Sequence, residues 1–234
     1  MRSKLSMLVS VFALSTITHA GVVITGTRII FPSNQSTVTV QLNNQLKQPA
    51  LIQSWLDDGD PSKIPSADKI PFILTPPITM IEGNKGQMIR LVSKGTETLP
   101  KDRESLFWFN ILDIPPTTET AQNQLNISIR SRIKVFYRPT KLNMVQEKAF
   151  TSVKFSYNEA DKTLKINNPS PYFLNFLNLD FNPQKEHLVY TDPLMIAPFS
   201  ESKIQPKLNF KPTQMIYTLI NDYGSNQPYT IDLK

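Results

Sequence analysis

Cysteine is absent from the 234-residue sequence, and histidine occurs only twice. The chain can therefore form no disulfide bond and offers no thiolate as a nucleophile or metal ligand. His19 lies in an N-terminal segment that we expect to be removed, which leaves His187 for the folded protein. A catalytic relay or a zinc site built on histidine is disfavoured, because zinc needs three or four ligands. We expect no enzyme activity, no catalytic residue, no metal and no cofactor.

Carboxylates that could form a catalytic pair occur close together at Asp57, Asp58 and Asp60. They flank Gly59, and aspartate next to glycine is typical of a turn. The simpler interpretation of this cluster is therefore structural.

Glycine is scarce as well, with seven glycines against nineteen prolines. No sustained 3.6-residue apolar period follows the N-terminal segment. Valine, isoleucine, threonine and aromatic residues occur instead in short runs that end at proline or at asparagine-rich turns. This pattern indicates an all-β protein.

Long apolar runs are missing except at the start of the chain. Residues 5–17 are largely apolar, Arg2 and Lys4 precede them, and the small residue Ala20 follows. This order is typical of a secretory signal peptide, and the run is shorter than the roughly 20 residues that span a bilayer. We expect residues 1–20 to be cleaved after Ala20, and the mature chain to be exported without membrane insertion.

Acidic residues are fewer than basic ones, and the formal charge of the chain is +6. Loss of Arg2 and Lys4 would lower it by two, to +4. The remaining charges are scattered singly, which is typical of a solvated surface and disfavours nucleic-acid binding.

Residues 21–142 contain about seven or eight short strand patterns separated by turns, as in an immunoglobulin-like sandwich. One predicted strand covers residues 22–31 without a break, and another carries Trp55 as a core aromatic. After Pro139 the chain becomes polar, and a second strand series begins with a predicted strand at residues 150–157.

The sequence therefore predicts two domains after the signal peptide. The first covers residues 21–142 and the second residues 143–234. Both are expected to be immunoglobulin-like β-sandwiches.

The longest strand pattern lies at residues 125–135, where apolar and polar residues alternate. Alternation indicates a strand with one apolar and one polar face, and eleven residues is long compared with the usual strand length of about five or six. Two interpretations stay open at this point. The apolar face lies in the chain's own core, or part of it lies at an open sheet edge and is offered to another chain.

Three further motifs resemble one family when taken together. They are DRESLFWFN at residues 102–110 with the Ile-Pro-Pro that ends at Pro116, KVFYRP at residues 134–139, and INDYG at residues 220–224. With Arg28 in the first strand, their order and spacing resemble the periplasmic chaperones of the chaperone–usher pilus pathway, the PapD-like family. This resemblance covers the whole mature chain and implies two immunoglobulin-like domains arranged as a boomerang around a cleft.

The resemblance also implies roles for individual residues. Arg28 and Lys134 match the pair that binds the C-terminal carboxylate of a pilus subunit. Leu125, Ile127 and Ile129 match the residues that the chaperone donates to the groove of an incomplete subunit.

Glu104, Arg138 and Asp222 match a charged triad between the two domains, with a structural role. The connection from residue 116 to residue 125 is short, which resembles the short-loop subclass that builds rod-like or thicker pili.

The function implied is that of a periplasmic chaperone, which folds and caps pilus or fimbrial subunits and delivers them to an outer-membrane usher without ATP. The resemblance leaves open whether the free protein self-associates weakly through its donor strand. The alternative is an exported immunoglobulin-like adhesin or pilus component. A pilus subunit would need an alternating donor segment at its mature N-terminus, whereas residues after Ala20 enter a strand at once.

Overall fold

The computed structural model describes residues 21–66, 69–116, 127–182, 184 and 186–233. Its first half forms a two-sheet β-sandwich around one hydrophobic core, to which Phe31 and Phe109 contribute fully buried rings. The strands are β1 Val22–Ile24, β2 Arg28–Pro32, β3 Thr37–Asn44, β4 Ala50–Asp57, β5 Phe72–Thr75, β6 Ile78–Ile81, β7 Gly86–Ser93, β8 Ser105–Ile114 and β9 Ile129–Arg138.

One sheet of the first sandwich has the order β1-β3-β7-β5, and the other has the order β2-β9-β8-β4-β6. The strands of each sheet pair antiparallel except β2 and β9, which run parallel. Alternate residues of each strand face the space between the sheets, as in immunoglobulin-like sandwiches.

The prediction of one unbroken strand at residues 22–31 is wrong. The chain leaves the first sheet after β1, passes through Gly26 with a positive φ of 96°, and joins the second sheet as β2. Glycine adopts this backbone conformation without steric cost, so it allows the chain to cross between the sheets here. The crossing brings Arg28 beside β9.

Trp55 is not a core aromatic, contrary to the prediction. In β4 the even-numbered residues Ala50, Ile52 and Leu56 are buried in the core, and Trp55 is partly exposed on the opposite face. The pleat of the strand puts neighbouring side chains on opposite faces, so register rather than hydrophobicity decides the position of this ring.

The second half forms a second sandwich with its own core, in which Leu179 and Phe181 are fully buried. Its sheets have the orders β10-β11-β15 and β13-β12-β16-β17, and β14 also pairs with β12. Its elements are α1 Gln146–Ser152, β10 Lys154–Asn158, β11 Thr163–Asn168, β12 Leu174–Phe181, β13 Leu188–Tyr190, β14 Leu194–Ile196, β15 Ser200–Ile204, β16 Gln214–Ile220 and β17 Asn226–Asp232.

The predicted strand at residues 150–157 is wrong in its first part, where the chain forms the short helix α1. Ala149 and Phe150 of this helix are buried in the second core, and Val153, which follows the helix in an extended conformation, is buried as well. The Tyr217 hydroxyl donates to the Phe150 carbonyl oxygen at 3.0 Å and fixes the end of this helix. The short strand β13 next to His187 was not predicted from the sequence.

The prediction of an all-β fold built from two sandwiches is confirmed. Within the ranges given above, no helix has the length and apolar character needed to cross a membrane.

Candidate functional site

Strand β9 has two different halves. On one side it pairs with β8 from Ile129 to Tyr137. On the other side β2 covers only residues 134–138. Among the described residues, no strand pairs with residues 129–133 on that second side. The first half of β9 is therefore an open sheet edge, with backbone groups that can accept another strand.

The core-facing side chains of this strand become steadily more exposed toward its N-terminal end. Val135 is fully buried, Ile133 is partly buried against the core, Ile129 is 52% exposed, and Ile127, just before the strand, is 62% exposed. Leu125, the third residue of the predicted donor set, lies outside the described residues. Of the two interpretations of this apolar face, the structure supports burial for its second half and an open edge for its first half.

Arg28 and Lys134 lie directly opposite each other where the open edge ends, because β2 pairs with β9 in that register. Arg28 Nη1 donates to the Ile220 carbonyl oxygen at 3.0 Å, and Lys134 Nζ donates to Asn175 Oδ1. Both acceptors are neutral groups of the second sandwich. Neither cation lies within ion-pair distance of a carboxylate in the described part of the chain.

The electrostatics of these two cations favour the arrival of an anion. Burial lowers the pKa of Lys134, and the charge of Arg28 lowers that pKa further. Burial also lowers the pKa of Arg28, against the opposing influence of Asp222 and Glu104. Arg28 Nε is buried and has no hydrogen-bond partner among the described residues. A carboxylate placed here would relieve the repulsion between the cations and satisfy unused donors.

Glu104, Arg138 and Asp222 come together between the two sandwiches. Arg138 donates from Nε to Glu104 Oε1 at 2.7 Å, and from Nη1 and Nη2 to the Asp222 carboxylate at 2.6 and 2.8 Å. The side chain of Glu104 is 2% exposed and that of Arg138 is 19% exposed. The two-pronged geometry to Asp222 is the one that a planar guanidinium forms best.

Further hydrogen bonds hold the two acids of this triad. Glu104 accepts the Phe173 N–H at 2.8 Å, and its own N–H donates to the Pro171 carbonyl oxygen at 2.9 Å. Asp222 accepts from Gln146 Nε2 at 2.7 Å. Burial alone would raise the pKa of Asp222, but the hydrogen bonds and charge of Arg138 lower it below its ordinary value. The triad is therefore a hydrogen-bonded network that joins the sandwiches rather than a surface ion pair.

Two other contacts between the sandwiches lie next to the site. The rings of Phe136 and Phe173 are 5.7 Å apart between centroids. Gly224, with φ +79°, sits so close to Thr27 that a Cβ atom would lie 2.8 Å from the threonine hydroxyl oxygen. The hairpin between β16 and β17 thus touches the residue that precedes Arg28.

A charged cluster on the outer face of β9 was missed by the sequence analysis. Asp57 accepts the Gly59 N–H at 2.9 Å, as expected for a turn, but it is also fully buried against Arg132 and Asn110. The signal in the sequence for this cluster was the pair of arginines at positions 130 and 132. Because side chains alternate along a strand, both arginines lie on one face of β9, where a carboxylate such as Asp57 can pair with them.

The described residues thus form a two-domain immunoglobulin-like binding protein, with an open strand edge that ends at two partly buried cations. Residues 21–143 match the family model described as "Pili and flagellar-assembly chaperone, PapD N-terminal domain". Residues 148–231 match the model described as "Pili assembly chaperone PapD, C-terminal domain".

Similar proteins and structures agree with these matches. The chain is 39% identical over 214 residues to the chaperone protein HifB of Haemophilus influenzae, covering 89% of this chain and 86% of HifB. It is 38% identical over 225 residues to the probable fimbrial chaperone YadV of Escherichia coli K12, covering 92% of this chain and 91% of YadV. A crystal structure of YadV superimposes with a TM-score of 0.79 at 36% identity and covers 92% of this chain and all of that one.

The chain belongs to the PapD family of pilus-assembly chaperones, as its motifs predicted. It is a fimbrial chaperone of the chaperone–usher pathway, and this family is not enzymatic. The matches do not favour the alternative of an adhesin or pilus structural component.

We predict that Arg138→Ala lowers the free energy of unfolding by about 3–5 kcal/mol, because it leaves the buried Glu104 carboxylate without its counter-ion. Calorimetry measures the change. Lys165→Ala is the matched control, since its partner Glu201 and Lys165 itself are 47% and 44% exposed. That exposed pair should contribute less than about 1 kcal/mol. Equal effects of the two substitutions would contradict a structural role for the triad.

Proposed function

We propose that this chaperone binds pilus subunits by adding its strand β9 to an incomplete subunit sandwich. The observation that carries the proposal is the open edge of residues 129–133 beside the exposed side chains of Ile127 and Ile129. Leu125 would extend the donated row. Main-chain hydrogen bonds along the edge would act on any subunit sequence, and the apolar side chains would fill its groove.

Arg28 and Lys134 would bind the C-terminal carboxylate of the subunit. Since β2 occupies the edge from residue 134 onward, a guest strand that ends at the cations must lie along residues 129–133 and run parallel to β9. The anchor therefore fixes both the direction and the register of the guest. A shift of one residue would turn the guest's apolar side chains to the wrong face.

By approximate magnitudes, neither burial of the donated side chains nor the carboxylate anchor is sufficient alone for micromolar binding. Complete burial of an isoleucine contributes about 1.5–3 kcal/mol, and Ile127 and Ile129 are only 62% and 52% exposed in the free protein. Micromolar binding requires about 8 kcal/mol. An ion contact at an effective dielectric of 20 adds about 4 kcal/mol before desolvation is subtracted. Groove filling, backbone pairing and the anchor would have to act together.

The subunit would then pass to an outer-membrane usher, as expected for a chaperone of this pathway. We infer that release proceeds by exchange with a better-fitting strand of the next subunit. Such exchange needs no nucleotide, and the chain has no Gly-Lys-Ser/Thr phosphate loop.

The triad of Glu104, Arg138 and Asp222 would fix the angle between the two domains and so the shape of the cleft. We also propose the short-loop subclass from the length of the connection between residues 116 and 125, most of which lies outside the described residues.

The protein acts in the periplasm, as its family does. We propose that residues 1–20 are the signal peptide and that cleavage follows Ala20. The charged start, the apolar run and the small residue at the end support this site. Mass spectrometry of the exported chain should give Gly21 as its first residue; a first residue more than a few positions away would contradict the proposal.

We propose a domain division between residues 142 and 143. The buried residues of the first core end at Tyr137 and those of the second begin at Ala149, while Leu142 and Met144 already pack against the second core, so the change from one core to the other falls between Tyr137 and Leu142, close to this division. Limited proteolysis should give first cuts near this division if the linker is more accessible than either sandwich. First cuts within a sandwich would argue against it.

We predict that Ile127→Asp strongly weakens subunit binding and leaves the melting temperature of the free chaperone unchanged, because the side chain is already exposed. Pull-down from periplasm with mass spectrometry measures binding and identifies the subunits. Val145→Asp is the matched control, since Val145 is 63% exposed but directly precedes α1 and is not part of β9. A large fall in melting temperature for Ile127→Asp would place this side chain in the protein's own core.

We predict that Lys134→Ala abolishes subunit capture with little effect on stability, because the lost hydrogen bond to Asn175 is offset by removal of a partly buried cation that Arg28 repels. Binding of a peptide with the subunit's C-terminal sequence should fall sharply when its carboxylate is amidated. That loss should disappear in Lys134→Ala if the two groups interact directly. Lys141→Ala, at an exposed position, is the control.

The same lysine predicts a pH dependence. The free protein has a lowered pKa at Lys134, and a bound carboxylate would raise it. Peptide binding should therefore be strongest below the pKa of the free lysine and weaken as the pH rises above it. Lys134→Arg should remove this dependence, since arginine stays charged. An unchanged alkaline profile in Lys134→Arg would contradict the assignment.

A further inference from the structure

Asp57 lies at the end of β4 and is fully buried, although its carboxylate faces away from the hydrophobic core. It accepts from Arg132 Nε at 3.0 Å and from a second Arg132 nitrogen. Asn110 Nδ2 donates to it at 2.8 Å, and Arg130 Nη2 lies 3.6 Å from it. One carboxylate thus contacts both arginines of the open half of β9.

Arg130 is held by further acceptors. Its Nε and Nη2 donate to Asn110 Oδ1 at 3.0 and 2.7 Å, and its Nη1 donates to the Pro61 carbonyl oxygen at 2.6 Å. Its guanidinium also lies 5.0 Å from the centre of the Trp55 ring. The loop that follows β4 is therefore tied to the strand edge.

Arg132 is fixed in a similar way. Its guanidinium carbon lies 3.9 Å from the centre of the Trp108 ring, and one nitrogen donates to the Gly59 carbonyl oxygen at 3.1 Å. Burial alone would raise the pKa of Asp57, but hydrogen bonds from Arg132, Asn110 and Gly59 lower it below its ordinary value. The carboxylate is charged at neutral pH and pairs with cations that are themselves immobilised.

This cluster lies on the face of β9 opposite Ile129 and Ile133, because side chains alternate along the strand. Residues 129–133 pair with a strand on one side only, and Ile129 is half exposed. Such a segment has few interactions to keep it extended, and local opening would be expected without additional contacts. The Asp57 cluster supplies contacts that do not use the edge or the donated side chains.

We propose that Asp57 is a positioning residue for subunit capture: it holds the open half of β9 extended in the free protein through Arg130 and Arg132. The proposal rests on the proposed function of β9 as a donated strand. A strand that is ordered beforehand binds faster and more tightly, because the loss of its freedom does not accompany binding.

Hydrogen exchange in the free chaperone tests, without any subunit, whether Asp57 holds the open half of β9 extended. Asp57→Asn keeps the size of the side chain and removes its charge. Amides of residues 129–133 that pair with β8 should exchange at least about tenfold faster in this variant, if the opening free energy falls by the equivalent amount. Amides of β3 and β7 should not change.

Asp60→Asn is the matched control. Asp60 belongs to the same loop, but its carboxylate contacts Ser62 and Lys63 rather than β9. Exchange at residues 129–133 should stay at the wild-type rate in this variant. Equal exchange in all three proteins would overturn the proposal.

The second part of the proposal, that Asp57 speeds subunit capture, is tested with the subunit that the pull-down identifies. Asp57→Asn should slow capture about tenfold or more. A covalent clamp separates positioning from general stability: Leu112→Cys and Arg130→Cys, added to Asp57→Asn, place two thiols at a directly paired position of β8 and β9. Paired antiparallel residues lie within the range of a disulfide, and the chain has no other cysteine to interfere.

The clamped protein should regain fast capture when oxidised and lose it when reduced. Slow capture by both the oxidised and the reduced clamped protein would overturn the positioning role. Slow capture by Asp57→Asn that a lower melting temperature alone explains would overturn it as well. If the wild-type protein itself captures no subunit, the proposed function fails instead, and the exchange measurement still decides whether Asp57 orders the strand.

Discussion

The parallel pairing of β2 with β9 stops at Lys134, and the arrangement of the site depends on this limit. Had the first strand continued unbroken, its earlier residues would lie along residues 129–133 and close the edge. The crossing at Gly26 takes them to the other sheet instead. The same crossing puts Arg28 at the end of the opening, so that one change of backbone direction creates both the free edge and its cationic end.

Strand β9 combines two features that are usually incompatible. An exposed apolar edge promotes aggregation, and a strand inside a core cannot bind a partner. Here Val135 and Tyr137 are buried and hold the strand in the sandwich, while Ile129 stays accessible. Arg130 and Arg132 on the other face make the open half charged on one side, which limits unspecific pairing.

Sequence patterns predicted much of this, for identifiable reasons. The alternation before Lys134 marked the strand and its apolar row, and the motifs around Glu104, Arg138 and Asp222 indicated groups that do meet in the structure. Trp55 was misjudged because its position depends on strand register, which hydrophobicity does not give. The turn at Asp57 was predicted, but its contact with Arg132 was missed because the two residues are 75 positions apart and local patterns do not contain such a partner. The crossing near Gly26 was missed because hydrophobic residues continue through both strands.

The cations that end the opening are each held by an acceptor from the other sandwich, Ile220 for Arg28 and Asn175 for Lys134. Neither domain alone therefore sets their orientation. A rotation of one sandwich relative to the other would move both charges at once, so that binding of an anion at these cations would be coupled to the relative placement of the two halves.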